Sequence, residues 1–179
     1  NAYKEAMTAH SNALEERLYN EFIARLKQDD PTVPYRKRGY WYYTRFETGK
    51  EYPVYARKAG TLEAAEQVML DGNALSTGHD FYEVGAMAIA PNDRILAYVD
   101  DTVGRREYTL RFKDLETGET LPDHVVSIDP YIAWTADSAS VLYVDKHPET
   151  LLGHRVLRHV LGTDSAQDAL VYEQDDESF

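Results

Sequence analysis

The sequence predicts a mainly β protein: an N-terminal helix followed by about three four-stranded blades of an incomplete β-propeller. Two observations lead there. Residues 87–100 (MAIAPNDRILAYVD) align without a gap on residues 132–145 (IAWTADSASVLYVD), at an offset of 45. A period of that size, with four short strands per unit, is the signature of propeller blades. The aromatic content is also skewed, with 14 Tyr against 5 Phe and 2 Trp, and such residues suit half-buried sheet surfaces.

The helix comes first. Over residues 1–28, Tyr3, Met7, Leu14, Leu18, Phe22 and Leu26 recur at helical spacing, with Ile23 beside them. Ser11 and Asn12 are expected to cap a second segment after a break near His10, with Glu15 and Glu16 in its first turn. Asp29-Asp30-Pro31 is expected to stop the helix, because the residue before a proline resists helical geometry. The apolar stripe needs a surface to pack on, either this chain's own sheet or a domain outside it.

Strands follow. They are expected near 33–36, 40–46, 52–58, 66–70, 85–90, 95–100, 107–114, 124–128, 131–135, 140–145, 154–160 and 169–173. Turn residues separate them at Thr48-Gly49, Asp71-Gly72-Asn73, Pro91-Asn92-Asp93, Thr117-Gly118 and Ala136-Asp137-Ser138. Residues 63–69 also read as a turn of helix leading into a strand. In the repeat, Ile89 matches Trp134, Leu96 matches Val141, and Tyr98-Val99-Asp100 matches Tyr143-Val144-Asp145. A weaker copy lies upstream at an offset of 55, with Tyr43 on Tyr98 and Gly49 on Gly104. These registers give a helical segment 1–30 and a partial propeller 31–179, with blades at about 33–73, 84–128 and 130–179. Three blades fall short of the roughly four to eight that close a ring. With Asn1 inside a helical pattern and Phe179 just past a strand, we expect a fragment of a longer protein.

Charge excludes some partners. Residues 1–60 hold 11 Lys and Arg and 8 Asp and Glu, whereas residues 61–179 hold 8 and 23. The net charge of −12 repels nucleic acid and anionic membranes, so neither is an expected partner. The longest clean apolar run, residues 86–90, is far too short to span a bilayer as a helix. The absence of Cys removes disulfides, thiolate metal sites and cysteine nucleophiles, and suits either redox state. We expect a cytoplasmic protein.

The stretch Leu70-Asp71-Gly72-Asn73, Gly78-His79-Asp80-Phe81-Tyr82, Ala90-Pro91-Asn92-Asp93, Leu96-Ala97-Tyr98, Asp101, Gly104, Tyr108-Thr109-Leu110-Arg111, Asp114-Leu115 and Thr117-Gly118 resembles the prolyl oligopeptidase family. Its oligopeptidase B branch is the nearest. Pro34-Tyr35, Gly39-Tyr40-Trp41-Tyr42-Tyr43-Thr44-Arg45 and Glu51-Tyr52-Pro53 match the family's first blade, and Asn1-Ala2-Tyr3 its N-terminal helix. The resemblance covers essentially the whole chain. It implies a parent with a seven-bladed propeller over a C-terminal α/β-hydrolase domain that carries a Ser-Asp-His triad. It also implies cleavage of short peptides after Arg or Lys, with the propeller gating access. Prolyl or dipeptidyl specificity, and a free-standing propeller binding module, are the alternatives.

The residues themselves assign this chain no catalytic, cofactor or metal site. A hydrolase nucleophile needs Gly-x-Ser-x-Gly, and the nearest stretch, Leu75-Ser76-Thr77-Gly78, lacks the first glycine. The chain alone is therefore expected to be inactive. Ser76, His79 and Asp80 mimic a triad, but triads assemble in space rather than in sequence, and a structural hydrogen bond is expected at His79. His147, His154 and His159 suggest a metal, but 154 and 159 differ by an odd number and should face opposite ways on a strand. Arg36-Lys37-Arg38 before Tyr40, Trp41, Tyr42 and Tyr43 imitates a nucleic-acid surface, and is expected to be a solvated turn before a packed strand. The acidic run 173–177 is expected to attract cationic peptides or to pair with an arginine of the other domain.

Overall fold

A computed structural model describes residues 2–27 and 29–174. Its helices are α1 (Ala2–Thr8) and α2 (Asn12–Arg25), joined by a 3-10 turn at Ala9–Ser11. The expected break near His10 is there. Ser11 sits at the start of α2, but its hydroxyl donates to Thr8 O (2.8 Å) and Glu15 Oε1 (2.8 Å) instead of capping a backbone N–H. The backbone turns extended at Leu26 (φ −88°, ψ 131°), so the helix ends before the Asp30–Pro31 step.

Eleven strands follow among the described residues: β1 (Tyr35–Lys37), β2 (Tyr40–Arg45), β3 (Val54–Ala59), β4 (Glu66–Asp71), β5 (Glu83–Ile89), β6 (Ile95–Asp101), β7 (Tyr108–Asp114), β8 (Thr120–Trp134), β9 (Ser140–Lys146), β10 (Gly153–Val160) and β11 (Ala169–Glu173). They form two antiparallel sheets in chain order, β1 to β4 and β5 to β11, and neither is closed. This is the incomplete propeller the repeat predicts, with three successive four-stranded meanders.

Three local expectations are corrected. The strands expected at 124–128 and 131–135 are one strand, β8. Asp129-Pro130 carries no turn-forming glycine, and a pre-proline residue favours extended backbone. The chain therefore bends without stopping. Its first part pairs with β7 up to Ile128 and its last part with β9, with a register shift between Ile128 and Ile132. Residues 63–69 contain no helical turn, and β4 starts at Glu66. The turn expected at 71–73 is instead a short helix, α3 (Gly72–Leu75), because the Asp71 carboxylate accepts the N–H groups of Asn73 and Ala74. A Cβ on Gly72 would lie 2.8 Å from Tyr52 Cβ and 2.9 Å from Pro53 O, so only glycine fits there.

The core shows why β6 opens on five apolar residues, Ile95 to Val99. All seven of its residues are buried. Leu96 and Tyr98 pack into a cluster with Tyr42, Met69, Leu70 and Leu115 of the first two meanders. Ile95, Ala97 and Val99 face the larger cluster around Leu110, Phe112, Val125, Ile128, Val141 and Tyr143. One strand thus serves two cores on alternate residues. Strand β7 lies further out and alternates strictly between buried and half-buried.

The two seams between meanders are built differently. No strand pairing crosses the first, between β1–β4 and β5–β8. Side chains stitch it: Lys113 Nζ donates to Met69 O (2.9 Å) and Gln67 Nε2 to Leu115 O. Burial pulls the Lys113 ammonium below its ordinary pKa. The second seam is crossed by the backbone of β8 itself.

Candidate functional site

Each strand joins two kinds of connection. At one end lie the tight turns β1–β2, β5–β6 and β8–β9. The first has Arg38 (φ 46°) and Gly39 (φ 87°) in the left-handed region that a two-residue hairpin requires. These turns bind one another. Arg38 Nε meets Asp93 Oδ1 at 2.9 Å, and its Nη2 donates to Ala90 O at 3.0 Å. Arg57, only 3% exposed, stacks over the Tyr40 ring at 4.0 Å and donates to Asp93 O at 2.7 Å and Gln67 Oε1 at 2.7 Å. Asn92 N–H donates to Ser138 Oγ at 3.0 Å.

The basic run is exposed and Arg38 sits in the turn, as expected, but the run does more than meet solvent. Arg36 and Lys37 belong to β1, and Arg38 clamps the first seam. Tyr40, Trp41, Tyr42 and Tyr43 do lie on the next strand, with Tyr42 buried. Composition concealed the clamp because its partners stand 55 residues apart. The available signals were an Arg inside the otherwise apolar start of β3 and an Asp in the β5–β6 turn.

At the opposite end lie longer loops and the C-terminal part of α2. Tyr19, Ile23 and Leu26 border a cavity with Phe46, Gly49 and Glu51 of the β2–β3 loop. The Tyr52 and Tyr82 rings meet edge-on at 5.9 Å, and Phe81 lies against Gly104 of the β6–β7 loop. That loop hangs on Asp101, whose carboxylate accepts N–H groups of Val103 (2.8 Å), Gly104 (2.9 Å) and Arg106 (2.8 Å). Burial pushes the Asp101 carboxyl up, and these N–H groups more than offset it, so its pKa lies below the usual range. Lys146 joins the next loop by donating to Arg106 O and pairing with Asp129 at 3.2 Å.

Among the described residues, the guanidinium groups of Arg105 and Arg106 make no ion pair. They border a cavity of about 780 Å³ shared with the exposed Leu151 and Leu152. The helical stripe is equally bare: Tyr3 is 80% exposed and Phe22 62%, and Met7, Leu14, Leu18 and Leu26 are exposed too. It does not pack on this chain's sheets.

The structure does not assemble the imitated sites. Ser76 Oγ donates to Asn73 O at 3.1 Å. His79 and Asp80 are exposed past the positive-φ Gly78, and the His79 side chain makes no hydrogen bond among the described residues. The buried bond expected at His79 is thus absent, because the Gly78 turn carries the segment outward. His147 and His154 stack edge-on at 5.2 Å, and His147 Nδ1 accepts from Glu149 and Thr150 N–H, both at 3.2 Å. His159 lies apart, fully buried. Its Nδ1 is 2.8 Å from Asp168 and its Nε2 3.4 Å from Asp123, while Tyr143 donates to Asp168 at 2.9 Å. Among the described residues no group of three His, Asp or Glu is arranged to hold a metal. Glu173 lies exposed on β11, while 175–177 fall outside the described residues. Among the described residues no helix is long and apolar enough to cross a membrane.

Comparison with known proteins fits this geometry. Residues 1–179 match the family described as "Prolyl oligopeptidase, N-terminal beta-propeller domain". "Dipeptidyl aminopeptidase BI" of Pseudoxanthomonas mexicana is 53% identical over 194 residues, covering 100% of this chain and 27% of its own length. "Protease 2" of Moraxella lacunata is 32% identical over 173 residues, covering 92% of this chain and 25% of its own. The structure of oligopeptidase B from Leishmania major superposes with a TM-score of 0.91 at 33% identity, over 98% of this chain and 25% of that one. The chain spans about a quarter of the length of these relatives.

Proposed function

Because this chain belongs to the prolyl oligopeptidase family, matching its N-terminal propeller domain, we propose that it opens a cytoplasmic serine peptidase that cleaves short peptides after Arg or Lys. Residues 1–30 form the helical segment and 31–179 the first three blades, at about 33–73, 84–128 and 130–179. A hydrolase domain C-terminal to the propeller supplies the triad. This segment docks to that domain and gates peptide entry, with no catalytic, cofactor or metal-binding residue of its own.

One observation carries the docking role: the bare apolar stripe of α2 and the unpaired Arg105 and Arg106 lie at the same end of the strands. Apolar surface of that extent marks an interaction site. The test uses the full-length protein with fluorogenic Arg and Lys peptide amides and a serine-directed phosphonylating inhibitor. Cleavage abolished by the inhibitor supports the reading, and no cleavage, or cleavage by the 179-residue piece alone, overturns it. A second reading, release of dipeptides, is favoured by the name of the 53% identical relative. Cleavage that requires a free peptide N-terminus would select it.

A further inference from the structure

A cavity of about 370 Å³ lies at the inner edge of the first seam, at the tight-turn end, and no step above uses it. Its walls are Tyr35 and Tyr42, Met69 and Met87, and Trp134. The walls are fixed. The rings of Tyr35 and Tyr42 stack at 5.4 Å, and Trp134 Nε1 donates to Ala88 O at 2.9 Å. Met69 is only 4% exposed. Small-molecule pockets run from about 300 to 1,000 Å³, so this one has room for a single large side chain. Two thioethers facing three aromatic rings favour an aromatic or long aliphatic guest.

Two further features narrow the guest. Lys37 stands on the rim, and among the described residues its ammonium has no ion pair or hydrogen bond. The neighbouring Arg38 and Asp93 neutralise each other, so Lys37 is the cation free to attract an anion. The flanking strands β1 and β5 are also both sheet edges. On the β5 side the carbonyls of Ala88, Ile89 and Ala90 already accept from Trp134 and Arg38. That leaves β1 as the open edge, where an extended backbone can add as a further strand.

We propose that this cavity binds the C-terminal residue of a peptide, its apolar side chain in the slot between Met69, Met87 and Trp134 and its terminal carboxylate on Lys37. The source of such peptides rests on the peptidase reading, but the binding itself does not.

Calorimetric titration of the full-length protein with acetyl-Ala-Ala-Phe, which lacks Arg and Lys, and with its C-terminal amide tests the site. The acid should bind about tenfold more tightly than the amide, as one charge-assisted contact implies. Lys37→Gln should erase that preference, and Met87→Trp, which fills the slot, should weaken both ligands by about tenfold or more. No saturable binding, equal binding of acid and amide, or indifference to Lys37→Gln would overturn the site. Lys37 is exposed, so its variant decides the matter even if Met87→Trp fails to fold. Arg-amide cleavage measured on the same protein separates the two ideas. Cleavage without binding removes only the pocket, and binding without cleavage removes only the peptidase.

Discussion

The tight-turn end and the loop end of the strands differ in how their charges are used. At the tight-turn end Arg38 and Arg57 both close on Asp93, and Asn92 reaches Ser138 across the second seam. At the loop end Arg105 and Arg106 pair with no carboxylate among the described residues, and the stripe of α2 near the β2–β3 loop is bare. Arg45, Arg111 and Arg155 pair with Glu47, Asp100 and Asp145 near the loop end as well, so what sets that end apart is that Arg105 and Arg106 on its loops have no ion pair among the described residues. Substitutions at the two ends should separate stability from activity.

The largest loss of stability should come from the buried side. His159→Ala leaves the Asp123 and Asp168 carboxylates enclosed without their shared partner, and should cost about 3–5 kcal/mol in chemical denaturation. Arg57→Ala removes two charge-assisted hydrogen bonds and a ring contact at the first seam, and should cost about 2–4 kcal/mol. At the loop end the pattern should invert. Leu18→Glu with Phe22→Glu should change the stability of this chain by less than about 0.5 kcal/mol, because both side chains are exposed. In the full-length protein the same pair should reduce peptide cleavage by more than about tenfold, since a charge would be buried at the docking face. Replacing Arg105 and Arg106 by Gln should give the smallest stability change, again within about 0.5 kcal/mol.

Titration distinguishes the ends less sharply but has a fixed sign. Burial raises the pKa of Tyr82, Tyr98, Tyr108 and Tyr143, and burial with the Glu66 hydrogen bond pushes Tyr43 up to about 12. The folded state therefore holds these protons more tightly. Their stabilisation is complete below the unfolded value of about 10 and is lost as pH rises through the folded values. Asp101 runs the other way. Its lowered pKa stabilises the β6–β7 loop above about pH 4 and ceases to do so as pH falls through the folded value. Asp101→Asn should leave the alkaline limb of a denaturation-against-pH profile in place and flatten the acid limb.

Much of the fold was legible because it rests on local signals. The 45-residue repeat placed β6 and β9, and the strand expected at 107–114 is β7. Glycine and aspartate turns located most of the strand ends. What remained hidden depends on contacts between distant residues. Nothing near Arg38 points to Asp93, and nothing near His159 points to Asp123, 36 residues away. The join of two expected strands into β8 was missed because Asp129-Pro130 looks like a break, yet its extended geometry continues a strand. The helical stripe was readable as apolar, but its exposure became visible only once the sheets had filled their cores from their own residues.

Hydroxyl-radical footprinting of the full-length protein tests the docking claim most directly. Leu14, Leu18 and Phe22 of α2, and Leu151 and Leu152 of the β9–β10 loop, should be shielded although all five are exposed in this chain. Pro91 and Lys37 at the tight-turn end should stay reactive. Strong labelling of the helical stripe, with shielding confined to the tight turns, would show that the partner sits on the opposite end.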